Sequence, residues 1–167
     1  MTLVGFAAQN HPQQETKDDV DDRGTPPDLF AWCVAKYGAF TVDVAAAEHN
    51  RKVERFFSKD DDGLSKCWDG ERVWCNPPFS NLAPWCAKAW ASNADIVVML
   101  LPANRTEQPW WHAHIEPYRD RGGRLSTVFL AARRGFILPG DTVVRKNSRP
   151  PFGILLAVWA QENRSGA

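Results

Sequence analysis

An α/β domain with a mostly parallel sheet, three layers deep, is the fold class this sequence predicts, and three observations carry the prediction. The run Ile96-Val97-Val98-Met99-Leu100-Leu101 is apolar throughout, so a strand here must be covered on both faces, as central parallel strands are. From Thr25 to Trp159, segments of helical period alternate with short β-rich runs, the pattern from which crossover units arise. Three of those runs stop at loops that can hold a ligand: at Asp43, at Asn76-Pro77-Pro78-Phe79 and at Pro102-Ala103. In open parallel sheets, ligands bind at the carboxyl ends of the strands.

In chain order, residues 1–24 read as a disordered polar arm with an acidic run at Asp18-Asp19-Val20-Asp21-Asp22 and little to bury. Thr25-Pro26-Pro27-Asp28 reads as a helix start, with Thr25 as cap, proline in the first turn and Asp28 placed as in a capping box. Leu29, Phe30, Cys33, Val34 and Tyr37 form its apolar stripe and Gly38 ends it. Ala39–Asp43 reads as a strand that delivers Asp43 to its carboxyl end. A short helix can begin at Val44, and residues 50–70 read as a long loop with a helical turn around Val53–Phe57; loops of that length are usually functional.

Val73-Trp74-Cys75 ends a buried strand, and a helix follows from Leu82 to Ala91. The apolar run through Leu101 comes next. A helix carrying Trp110 and Trp111 opens at Pro109 and is closed by Pro117. Strands around Leu125–Leu130, Gly135–Leu138 and Phe152–Trp159 complete a single compact domain over residues 25–160, and residues 161–167 read as a tail.

A length of 167 residues with 44% hydrophobic and 24% charged residues suits one soluble domain. No apolar run reaches the length of a membrane span and no basic start precedes an apolar signal core, so the cytoplasm is the expected compartment. Cys33, Cys67, Cys75 and Cys86 match no zinc spacing and read as buried free thiols, and no metal is expected. Net charge is zero, yet residues 1–102 hold 10 Lys+Arg against 15 Asp+Glu while residues 103–167 hold 10 against 5. That asymmetry suggests a basic face for phosphates, with Arg105, Arg133 and Arg134 as candidates; a solvated face without a partner gives the same count.

The tetrad Asn76-Pro77-Pro78-Phe79 carries the chemistry. Prolines cannot donate ladder hydrogen bonds and hold their neighbours extended, which fixes where Asn76 points. Its amide oxygen and the Pro77 carbonyl can each accept one N–H of an amine, while Phe79 stacks on a planar ring. Asp43 fits either a helix N-cap or a carboxylate holding a cationic amine or a ribose. Asp61 and Asp62 could reach a ribose or an adenine amine, or simply lie in a charged loop. Trp110 and Trp111 could stack on bases or fill the core. No glycine-rich dinucleotide turn, Walker lysine or nucleophile elbow is present, so nucleophilic and phosphoryl chemistry lack support.

Thr25-Pro26-Pro27-Asp28-Leu29-Phe30, Phe40-Thr41-Val42-Asp43-Val44-Ala45-Ala46, Asp62-Gly63-Leu64, Asn76-Pro77-Pro78-Phe79-Ser80 and Leu100-Leu101-Pro102-Ala103 follow in an order that resembles the phage DNA N6-adenine methyltransferases of the Dam type. The likeness runs from about Thr25 to Trp159 and implies a Rossmann-like methyltransferase sheet. It implies transfer of a methyl group from S-adenosyl-L-methionine to N6 of a flipped adenine in double-stranded DNA, inside the host cell cytoplasm if the gene is a phage's. By the same resemblance Asn76, Pro77, Pro78 and Phe79 bind the target amine, and Thr25, Pro26, Asp43, Ala45 and Asp62 surround the cofactor. Arg133-Arg134-Gly135-Phe136 is similar to a Gly-Arg-x-x-Phe element of that family, with Ala132 in place of glycine. Phe79 stands where tyrosine is usual, which keeps the ring face. The tetrad's chemistry would equally serve an RNA base or a glutamine amide, and a non-catalytic nucleic-acid-binding module is the alternative of a different class.

Overall fold

The computed structural model describes residues 21–131, 134–145, 150 and 152–161. Its elements are α1 (Pro27–Tyr37), β1 (Val42–Asp43), β2 (Arg72–Cys75), α2 (Ala83–Ala91), β3 (Ile96–Pro102), α3 (Pro109–His114), β4 (Leu125–Phe129) and β5 (Ile154–Ala160). The five strands form one sheet in the order β1-β2-β3-β5-β4.

The expected mostly parallel sheet is a mixed one. β1, β2 and β3 run parallel, whereas β5 lies antiparallel to both β3 and β4. Two antiparallel pairings in series return β4 to the direction of β3, so only β5 is reversed. β3 is buried along its whole length, as its unbroken apolar run requires, and β5 is buried at all but its last residue. Arg72 lies opposite Ile96 and Cys75 opposite Met99, which puts the ends of the parallel strands at one edge.

Local chemistry shaped several elements differently from expectation. α1 starts with Pro26 as its N-cap and no side-chain cap bond; Thr25 is 1% exposed and buried inward instead. At its other end Gly38 turns the chain at φ 87° and donates to the Val34 carbonyl. Arg72 then covers the helix end by donating to the carbonyls of Tyr37 and Ala39. β1 is only two residues long. The segment expected to be a helical turn near Val53–Phe57 forms no helix: it bends over residues 52–55, and Phe56 bridges Asp43 in parallel, with Phe57 N–H donating to the Asp43 carbonyl at 2.8 Å. That bridge covers the free edge of β1.

No helix forms after Val44, where Asn50 Oδ1 instead accepts the Ala47 N–H at 2.7 Å. α3 ends at His114, before Pro117. Gly135–Leu138 is not a strand: only Ile137 pairs, with Gly24, through two hydrogen bonds of 2.8 and 2.9 Å. Asp21 to Gly24 are therefore part of the fold rather than of a free arm; residues 1–20 and 162–167 lie outside the described residues.

Six of the eight tryptophans supply much of the core. Trp68, Trp74, Trp111 and Trp159 are almost fully buried and Trp85 and Trp110 nearly so, which settles Trp110 and Trp111 as core rather than base-stacking residues. Cys33, Cys75 and Cys86 are buried free thiols as expected, whereas Cys67 is exposed. Burial pushes the Cys33 and Cys86 thiols up to about 12. Among the described residues, no helix is long and apolar enough to cross a membrane.

Candidate active site

Two clefts open where β1 and β2 end, and Asp21, Arg23 and Asn76 line both of them. Thr25, Asp43, Ala45, Asn50, Lys52 and Trp74 complete the first cleft; Pro77, Phe79 and Phe136 complete the second.

The first cleft is built around a buried carboxylate. Asp43, 2% exposed, ends β1, and the chain loops back so that its Oδ2 accepts the Lys52 N–H at 3.0 Å and its Oδ1 the Ala45 N–H at 3.4 Å. Asp43 thus braces the loop 44–52 and caps no helix. Burial raises its pKa to about 6 although both N–H groups and the charge of Lys52 pull it down. Burial also lowers the Lys52 ammonium. Two further buried polar atoms of residues on these walls, Thr25 Oγ1 and Trp74 Nε1, have no hydrogen-bond partner. Buried polar groups are otherwise almost always paired, so this cleft has the donors and the charge for a polar ligand that carries a cation.

The second cleft is built on the tetrad. Asn76 Nδ2 donates to the Arg23 carbonyl at 2.8 Å. A carbonyl only accepts, so the amide must turn its Nδ2 toward Arg23 and leave its Oδ1 free to accept. Among the described residues no donor meets the Pro77 carbonyl, which leaves a second acceptor beside the first. Phe79 is 7% exposed, with the Phe136 ring edge-on at 6.0 Å and the Phe152 ring tilted against it at 6.2 Å. Arg105 Nη1 donates to the Phe79 carbonyl at 2.6 Å, and Ser80 donates through both its N–H and its Oγ to the Asp21 carboxylate. The loop is held from β3's exit and from the chain segment before α1.

Not every expected residue comes to these walls. Pro26 is buried behind Thr25 as the N-cap, and Pro78 lies outside the lining. Asp62 is exposed at φ 53°, away from both clefts. The need in that motif belongs to Gly63: a Cβ there would stand 2.0 Å from the Val44 carbonyl oxygen, so only glycine lets the loop pack on the exit of β1. Ala103 continues the pairing of β3 through a 2.9 Å bond to Gly153 and touches neither cleft. Arg134 pairs with Asp28 at 3.3 Å, and Arg133 lies outside the described residues. Asp21, Arg23 and Lys52 were not foreseen, and only the acidic run ending at Asp22 marked that region in the sequence. No group of three or more His, Cys, Asp or Glu among the described residues is placed to hold a metal.

Parallel strands that end in a carboxylate and in an amide-bearing proline turn, closed by a reversed strand, define the Rossmann-like methyltransferase fold. PH1948 of Pyrococcus horikoshii, a candidate RNA methyltransferase, shares it with a TM-score of 0.53 at 12% identity, over 89% of this chain and 90% of its own. The family model for Dam, DNA N-6-adenine-methyltransferase, matches residues 13–149, and the chain belongs to that family. The DNA N-6-adenine-methyltransferase of Escherichia phage T1 is 34% identical over 161 residues, covering 84% of this chain and 67% of that protein. The enzyme of the same description from Haemophilus phage HP1 (strain HP1c1) is 35% identical over 89 residues, 51% of each chain.

Proposed function

We propose that this chain is a DNA adenine-N6 methyltransferase in which the Asp43 cleft binds S-adenosylmethionine and the Asn76-Pro77-Pro78-Phe79 cleft receives an adenine flipped from duplex DNA. The observation that carries this reading is the fixed amide of Asn76, which lines both clefts and whose Oδ1 is left free to accept. When bound, S-adenosylmethionine supplies a methyl group already activated by its sulfonium.

The protein's part is to make a poor nucleophile adequate. The N6 lone pair of adenine is delocalised into the ring. Asn76 Oδ1 and the Pro77 carbonyl, accepting one N6–H each, favour a pyramidal and more electron-rich nitrogen. Because Asn76 lines both clefts, that nitrogen is held on the side nearest the cofactor cleft. Holding both reactants in line supplies most of the acceleration, and effective molarity can contribute about 7–11 kcal/mol. The Phe79 ring replaces part of the stacking that the adenine loses on leaving the duplex. Asp43 holds a cationic amine, and Thr25 Oγ1 and Trp74 Nε1 gain partners in the same cleft. Arg133 and Arg134 lie on the basic side of the chain and take phosphates, whereas Arg105 braces the tetrad. The enzyme would work in the cytoplasm of a phage's host.

The test is chemical. DNA incubated with the protein and S-adenosylmethionine must yield N6-methyladenine on digestion and mass spectrometry of the nucleosides. Asn76→Ala removes one acceptor and lowers turnover by about a hundredfold or more with little change in cofactor affinity, since the lost bond is made to the amine and its transition state. RNA and a glutamine-containing peptide run in parallel with labelled cofactor. Label in either of those, with none in DNA adenine, would overturn the proposal.

A further inference from the structure

We propose that the loop following Ile137 carries an apolar wedge, Val143-Val144, that enters duplex DNA at the place the flipped adenine vacates. The inference rests on the adenine-flipping activity proposed above and adds the element that performs the flip.

Both stems of this loop are anchored on the ring that lines the base cleft. Phe136, one residue before the Gly24 bridge, meets Phe79 at 6.0 Å, and Phe152, on the returning side, meets the same ring at 6.2 Å. Pro150, also on the returning side, is buried. Residues 138–145 therefore leave from the rim of the base cleft. Its outgoing part is shaped: Asp141 N–H donates to the Leu138 carbonyl, Gly140 turns at φ 81°, and Arg145 pairs with Asp141. The product of that shaping is two β-branched apolar side chains facing water, Val143 at 66% and Val144 at 39% exposure.

Valines this exposed contribute little to folding, Val143 least of all at 66% exposure. Two adjacent ones beside Arg145, in the basic part of an enzyme of DNA, have a partner of matching chemistry. Proteins that distort duplexes insert apolar side chains between base steps while neighbouring cations hold the phosphates. β-Branched side chains also lose little rotamer freedom on insertion. Since the stems clasp Phe79 from two sides, a wedge seated in the duplex would present the extruded base to the cleft that Phe79 lines.

Removal of the wedge must then hurt only when the target base is paired. The double substitution Val143→Ser, Val144→Ser is compared with wild type on two duplexes, one with the target adenine paired to thymine and one with it opposite an abasic site. The variant is expected to lose about tenfold or more in kcat/KM on the paired duplex and to recover to within about twofold of wild type on the abasic one, where unstacking is already cheap. Recovery on the abasic duplex also shows that the variant is folded. Equal rates for variant and wild type on paired DNA would overturn the wedge, and so would an equal loss on both duplexes, which would mark the loop as a binding or structural element. A wild type that methylates neither duplex would overturn the underlying activity and the wedge with it; methylation of both by wild type upholds that activity whatever the variant does.

Discussion

Asp43 is the position where stability and function oppose each other, and Asp43→Asn separates them. The folded protein raises the Asp43 pKa from 3.8 to about 6 through burial. At about 1.36 kcal/mol per tenfold of proton affinity, that corresponds to a cost of about 3 kcal/mol for keeping the carboxylate ionised in the empty cleft at neutral pH. The sign follows from the native state binding its proton more tightly than the unfolded chain. The contribution of this group to stability is fully present below pH 3.8 and is lost as pH rises through 6. Asparagine is neutral at every pH, but its Nδ2 cannot accept, so either the Ala45 or the Lys52 N–H loses its acceptor whatever the pH. The variant should therefore start below wild type near pH 4 and gain about 3 kcal/mol relative to it by pH 8. Urea unfolding of both proteins without cofactor, from pH 4 to pH 8, measures this directly. The same variant should bind S-adenosylmethionine more weakly, by calorimetric titration, because the charge that held a cationic amine is gone. A difference between the two proteins that does not change with pH would refute the burial argument; unchanged cofactor affinity would remove Asp43 from the cofactor site.

Two further outcomes follow from contacts already described. Gly63→Ala places a methyl group 2.0 Å from the Val44 carbonyl oxygen. It should cost about 3 kcal/mol, or about 10 °C in Tm by calorimetry, whereas Asp62→Asn, exposed and tolerant of positive φ, should leave cofactor affinity unchanged; the reverse pattern would restore Asp62 to the site. Arg105→Ala should lower turnover without altering the salt dependence of DNA binding, because Arg105 is spent on the Phe79 carbonyl. Joint replacement of Arg133 and Arg134 should reduce the slope of log affinity against log salt by about 2, and slopes changed in the opposite assignment would exchange the two roles.

The parts of this molecule that were legible in the sequence are those whose reason is local. The apolar run of β3 needs cover on both faces wherever it occurs, and the two prolines after Asn76 stop a strand regardless of context. Gly38 ends α1 by its own conformational freedom. What was not legible depends on a distant partner. Thr25 has the composition of a cap, but the pull of the cleft buries it and leaves Pro26 to begin the helix. Asp43 reads as a cap for the same reason, and instead receives N–H groups from a loop whose return no spacing rule announces. β5 reverses although the 24 residues between it and β4 are long enough for a crossover, so its direction could not be read from the length of the connection. The arginines of the second half supply charge that is readable as a count, yet Arg105 and Arg134 meet a carbonyl and a carboxylate that only the fold puts beside them.

The segment Asp21 to Gly24 shows why the site could be named from the tetrad but not understood from it. Asn76 and Pro77 bring their two acceptors within one turn of chain, so the tetrad contains its own chemistry. The direction of the Asn76 amide, however, is decided 53 residues away, by the carbonyl of Arg23. That carbonyl is itself held by neighbours on each side: Gly24 pairs with Ile137, and Asp21 accepts from Ser80. One short segment therefore joins the helix that buries Thr25, the turn that follows Phe79 and the base of the loop that carries Val143. The two clefts and the base of the loop that carries Val143 share a wall, so a displacement of that wall changes all three at once. Such sharing lets one polar segment set the direction of the Asn76 amide.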